Sequence, residues 1–307
     1  LFYNLPYSQD LQFSFTRHRP FFGNSLSPTR HGAEKFCILE DQNPNKNTNS
    51  MAWEIHCRMY ENEDSNRRVK YVLDAIAGEM EKLIPAAPPL GFKPIAVIHD
   101  PYYMHRIYKP LEPDQYRLGI TSGKDTFGKA AYDFAHELMH IYVDPRIINW
   151  LTEILSHTAS FYFMDWLAAK WETDPPHPDL EGKYELFIER KNDMVREAYQ
   201  KVDLYQNQVS GNWIREEIRR IASWKIRGNK ILYDLIALEL LPMFQENPEA
   251  WQIISYVGEA TLPPPPSDPE DLTSEAKTQP DFYTFLHLLP ENLKPFGERL
   301  VHRLWKE

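Results

Sequence analysis

Phe134-Ala135-His136-Glu137-Leu138-Met139-His140-Ile141 carries the decisive pattern of this chain: two histidines four residues apart, with a glutamate directly after the first. On an α-helix such residues lie one above the other, so both imidazoles can reach a single ion. Glu137 falls on the same side, placed to take a proton from a water held by that ion. Random placement of His and Glu in a chain of this composition produces the spacing about three times in a hundred. The pattern alone is therefore suggestive, and the flanking residues decide its weight.

Those flanks read as a helix with segregated faces. Gly128 to Val143 contains no proline, and Phe127, Ala131, Phe134, Leu138 and Ile141 fall in one narrow sector at about 100° per residue. Asp133, His136, Glu137 and His140 occupy another. One stripe is expected to enter a core and the other to face a cleft. Asp144-Pro145 ends this helix and suits the start of another, since Asp is a favoured N-cap and Pro is tolerated at the first helical position. Arg146 to about Trp171 then reads as a long second helix, antiparallel to the first.

In that hairpin Glu153 lies roughly 12 Å along the second helix and comes level with the two histidines. Asn149, Glu153, Ser156, His157 and Ser160 form a polar, mostly small stripe, while Leu151, Ile154, Leu155, Phe161 and Tyr162 point away. Two imidazoles and one carboxylate, with a fourth position for water, make a recurrent catalytic zinc arrangement. Asp144 and His157 are further candidates for the third ligand. His157, one turn after Glu153, is placed to touch Glu153, a water or a substrate oxygen, and is the second candidate catalytic residue beside Glu137.

His136-Glu137-Leu138-Met139-His140 followed by Asn149-Trp150-Leu151-Thr152-Glu153 resembles the zincin metallopeptidases, specifically the gluzincin branch represented by thermolysin. The similarity covers Asp125 to Ser160, and the connection from His140 to Glu153 is shorter than thermolysin's. The metzincin pattern is not met, because Val143 and Arg146 stand where its glycine and third histidine belong. The resemblance implies His136, His140 and Glu153 as ligands of one Zn2+ and Glu137 as general base. It also implies an edge strand above the metal that pairs with extended substrate, for which Tyr116 to Thr121 is the candidate.

The rest of the chain sets bounds. A formal charge of −10 over 307 residues opposes nucleic-acid binding. The basic cluster Arg215, Arg219, Arg220, Lys225, Arg227 and Lys230 is interleaved with Glu216 and Glu217, as on a solvated helix face. No apolar run reaches the roughly 18 residues of a membrane span. The chain reads as soluble, and the lack of a visible secretory signal favours the cytoplasm. Leu1 is not an initiator, so a processed N-terminus leaves secretion open. Cys37 and Cys57 are too few for a disulfide framework, and one bridge between them stays open.

Three parts are expected: a strand-rich segment over 1–60, with Leu11 to Phe15 and Lys35 to Leu39 as strands; a metal-binding core over 61–172; and a helical lobe over 173–307. Within the core, Asn66 to Leu83 reads as an amphipathic helix, and Lys93 to His99 and Gln115 to Thr121 as strands. In the lobe, Glu181 to Lys201, Trp213 to Trp224, Asn229 to Phe244, Pro248 to Val257, Asp281 to Leu289 and Asn292 to Lys306 read as helices. Leu262 to Pro280, with Pro263 to Pro266, reads as a connector. The fold class is α+β, predominantly helical: a zincin-like core with a small mixed sheet and the motif helix, plus the C-terminal lobe.

The expected activity is zinc-dependent hydrolysis of a peptide or related amide, with a peptide or protein as substrate partner. A developing oxyanion needs a donor, for which His157, Tyr142 or a residue of the lobe is available. Two rival readings keep the same residues. A 2-His-1-carboxylate set also serves Fe(II) enzymes, and a zincin-like scaffold can bind a partner without catalysis. Neither substrate specificity nor oligomeric state is legible.

Overall fold

Asn62 starts the first described helix by accepting the backbone N–H groups of Asp64 and Ser65 at 2.8 and 3.3 Å. The computed structural model describes residues 51–102, 105–201, 211–224, 230–262 and 278–305. All of these fall in the second of two units into which the chain divides, Asn49–Glu307. The capped helix, α1, runs Glu63–Leu83 and begins earlier than the apolar periodicity announces. Asn66, expected to open it, is buried and holds the preceding turn instead. Its Oδ1 accepts from Met59 N and Tyr60 N, and its Nδ2 donates to Tyr60 O. Val69, Val72, Leu73, Ile76 and Met80 are fully buried, as their spacing requires.

The sheet has the order β1-β2-β4-β3, with strands β1 (Ile55–Arg58), β2 (Ile95–His99), β3 (His105–Ile107) and β4 (Tyr116–Ile120). β1, β2 and β4 are parallel, in the register Ile55↔Ile95↔Tyr116. β3 pairs antiparallel with β4, Ile107 opposite Leu118. This corrects the expectation for Tyr116 to Thr121, which is not an edge. The chain doubles back after Asp100 and covers it with three residues too short to show a strand period. Of the strands expected over 1–60, Leu11–Phe15 and Lys35–Leu39 lie outside the described residues, as does Cys37.

The motif helix α2 spans Phe127–Val143 and is buried on every face, with Lys129 the one residue of it not fully covered. The expected division into a core stripe and an open stripe is therefore not what forms. α1, α3 (Trp150–Thr173), α4 (Glu185–Lys201) and the short α7 (Ile254–Val257) all pack around it. A helix so enclosed has to satisfy its polar side chains internally. At Gly128 the fit is tight, since a Cβ there would stand 2.5 Å from Leu186 O on α4.

Asp144 does not open α3. Its backbone N–H closes α2 onto His140 O at 3.0 Å, and its carboxylate takes Arg146 N and Nε at 2.9 and 2.8 Å. Asn149 is the cap: its Oδ1 accepts from Leu151 N and Thr152 N, both at 3.0 Å, and Thr152 Oγ1 accepts from Asn149 N at 3.1 Å. Two orphan donors are satisfied reciprocally, which is why the helix starts at Trp150. Glu153 consequently sits in the first turn, near the positive end of the helix dipole.

Beyond α3 lie α5 (Gly211–Trp224), α6 (Lys230–Glu246), α8 (Phe282–Leu288) and α9 (Lys294–Leu304). α4 and α6 pack on α3, and α5 packs on α9. Pro248–Ile253, expected to be α-helical, is a 3-10 turn leading into α7. β5 (Thr261–Leu262) and β6 (Gln279–Pro280) pair across the ends of the expected connector, whose middle, with Lys225 and Arg227, lies outside the described residues. Arg215 and Arg219 donate to His302 O and Trp305 O at the end of α9. The fold is α+β and predominantly helical, with one small mixed four-stranded sheet. No described helix is long and apolar enough to cross a membrane.

Candidate metal centre

α2 and α3 meet through small residues. Ser160 Oγ donates across the contact to Tyr132 O at 2.8 Å, so the two backbones lie close enough to share a site. There, His136 Nε2 and His140 Nε2 are 3.1 Å apart. Glu153 Oε2 is 3.5 Å from the first and Glu153 Oε1 is 3.3 Å from the second. A tetrahedral zinc with bonds of 2.0 to 2.1 Å separates its ligand atoms by about 3.4 Å. Each pairwise distance is close to that spacing, with one Glu153 oxygen turned to each imidazole, and two neutral nitrogens with one carboxylate suit that ion.

Without a cation, electron-pair donors this close have to share protons. Burial alone would lower His140, but the Glu153 carboxylate outweighs it and lifts the imidazole above its usual pKa. Burial alone would raise Glu153, yet His140, aided by His136, holds its carboxyl well below the usual range. Glu137 follows His136 on α2 and is 4 % exposed. Glu153, at 15 % of its side chain, is the most open of the donors.

No family model, curated protein or solved structure matches this chain. The geometry of the chain itself has to carry the reading.

His157 stands with His136 and Glu153 in a compact donor group that does not take in His140. Its donor atom and those of His136 and Glu153 all lie within 4.8 Å of one another. Behind it stands a network that the linear pattern does not reveal. Asp234, on α6, accepts from His157 Nδ1 at 2.7 Å and from the Tyr132 hydroxyl at 2.7 Å, and Tyr132 is itself 2.6 Å from Nδ1. Lys230 Nζ sits 2.6 Å from the second Asp234 oxygen. Burial pushes the Asp234 carboxyl up, but His157 and then Lys230 outweigh it and hold it at about 2. Burial, reinforced by Asp234, pushes the Tyr132 phenol well above its usual value. One signal was available: Asp234 interrupts the apolar run Ile231-Leu232-Tyr233-Asp234-Leu235-Ile236, and a carboxylate there needs partners.

Other candidates are placed elsewhere. Tyr142, considered as an oxyanion donor, accepts the Trp53 indole N–H at 3.0 Å on the β1 side of α2. Asp144, considered as a ligand, is committed to Arg146. Lys109, in the turn after β3, was not anticipated. Burial lowers its pKa against the opposing fields of Asp144 and Glu137, and its charge in turn disfavours a proton on His140.

Proposed function

We propose that this chain is a zinc-dependent hydrolase, a metallopeptidase acting on peptide or related amide bonds. The observation that supports this best is the convergence of His136, His140 and Glu153, whose donor atoms approach pairwise to 3.1–3.5 Å, with the Glu137 charge felt at His140. When bound, zinc supplies Lewis acidity, bringing the pKa of a coordinated water to about 7 and polarising a carbonyl.

The side chains do the rest. His136 and His140 offer neutral nitrogens from one helix face, and the capped start of α3 presents Glu153 to them. Glu137 accepts a proton from the attacking water and returns it to the leaving amine, a role worth about 10²–10⁴ in rate. β3, one of the two edges of the described sheet and the one packed against α2, is the strand offered to an extended substrate.

The test is Glu137→Gln. It should retain zinc at the parent's stoichiometry while losing at least about 100-fold in turnover on a peptide library. Undiminished hydrolysis by this variant refutes the assigned base. The burial of Glu137 favours a second reading, in which the ion only ties α2 to α3; a zinc-loaded parent with no turnover on such libraries is its signature. Elemental analysis separates zinc from the iron alternative.

A further inference from the structure

We infer that His157 is a fourth protein ligand of this metal centre, so that the cation is held by three imidazoles and one carboxylate with one position left for solvent. The inference rests on the metal reading above and goes beyond the three ligands that the motif supplies.

Three observations carry it. First, the donor atoms of His136, Glu153 and His157 lie no more than 4.8 Å apart. Donors on opposite sides of one cation, with bonds of about 2.1 Å, stand about 4.2 Å apart. Closing the difference takes roughly half an ångström, within the reach of a small ring rotation. Second, both other imidazoles flank the His136 ring at the same distance, with centroid separations of 4.8 Å to His140 and to His157.

Third, Nδ1 of His157 is already taken. Metal-binding histidines characteristically give their other ring N–H to a carboxylate, which fixes the tautomer and leaves a lone pair for the ion. Asp234 is that carboxylate, held in turn by Tyr132 and Lys230. Nε2 is therefore the nitrogen His157 can offer, and among the described residues nothing hydrogen-bonds it. Zinc accepts five ligands when required, so a fourth side chain still leaves room for water or substrate.

The experiment uses the full chain loaded with zinc or, separately, cobalt(II). Zinc affinity is read by competition with a chromophoric chelator, and coordination number from the visible cobalt spectrum. His157→Gln should weaken zinc binding by at least about 100-fold, and Asp234→Asn, acting through His157, by about 10–100-fold. The cobalt bands should change from the weak absorption of a five-coordinate ion in the parent to the stronger absorption of a four-coordinate one in His157→Gln.

Parent-like affinity and an unchanged cobalt spectrum in His157→Gln overturn the inference. If His136→Gln still loses the ion in the same assay, the metal centre stands without His157. If His136→Gln also binds as the parent does, the centre itself is refuted. Should His157→Gln fail to fold, parent-like zinc affinity in the near-isosteric Asp234→Asn overturns the inference equally.

Discussion

Buried ionisable side chains in this protein come in sets, because each alone costs several kcal/mol to desolvate. His136, His140 and Glu153 form one set, and His157, Asp234, Tyr132 and Lys230 another. Cys57 shows what burial does to a less supported group. Desolvation raises its thiol to about 11, only partly opposed by a hydrogen bond from the Met59 backbone. At pH 8 this lowers the thiolate fraction about 100-fold relative to a free thiol. In a Cys37→Ser background, alkylation of Cys57 should therefore be slower by that factor until the protein unfolds. The sign carries over to stability: above pH 9 the unfolded chain ionises this thiol first, so the contribution is lost as pH rises towards 11. A rate equal to that of a free thiol contradicts the assigned environment.

At the scale of elements, the site depends on where α3 begins and how closely α2 is packed. Asn149→Ala removes the acceptor for Leu151 N and Thr152 N and should cost about 1 kcal/mol in urea unfolding. It should also weaken zinc binding, because the first turn carries Glu153; unchanged affinity with reduced stability separates the cap from the site. Gly128→Ala drives a Cβ into Leu186 O and the Arg190 side chain. Overpacking of this kind costs about 1–3 kcal/mol, against about 1 kcal/mol returned by better helix propensity. A lower urea midpoint is expected, and a higher one means that α4 yields. α2 was legible from its 3.6-residue period, and α3 from a long apolar run without proline or glycine. The start of α3 was not, because Asp144 and Asn149 are both good caps and only the pairing of Asp144 with Arg146 chooses between them.

For the whole molecule, the proposed cation would act as a cross-link between α2 and α3 and, with His157 as a ligand, would couple through Asp234 to α6. A ligand bound only by the folded state stabilises it by about 4 kcal/mol at a thousand times its Kd. Stripping the metal with a chelator should therefore lower the unfolding temperature by several degrees. In His136→Gln the same treatment should do nothing. Equal melting with and without chelator in the parent removes the ion from the account of stability. The helical character of the molecule was legible because amphipathic runs such as Val69 to Met80 report burial directly, whereas α6 is covered on most faces and Ile231 and Leu238, spaced for burial, are only half-buried. β3 was not, because three residues carry no period and the strand exists by pairing with β4.

By itself the sequence determined the motif helix, the shared face of His136, Glu137 and His140, and the presence of a carboxylate on the next helix. Helical period and side-chain direction are local properties, set within a few residues. The tertiary structure alone decided that Asp234 stands behind His157 across 77 positions of chain, that β3 rather than β4 is the sheet's edge, and that α2 is enclosed on all sides. Those outcomes follow from packing between distant segments, where the partner of a buried charge is fixed by which surfaces meet.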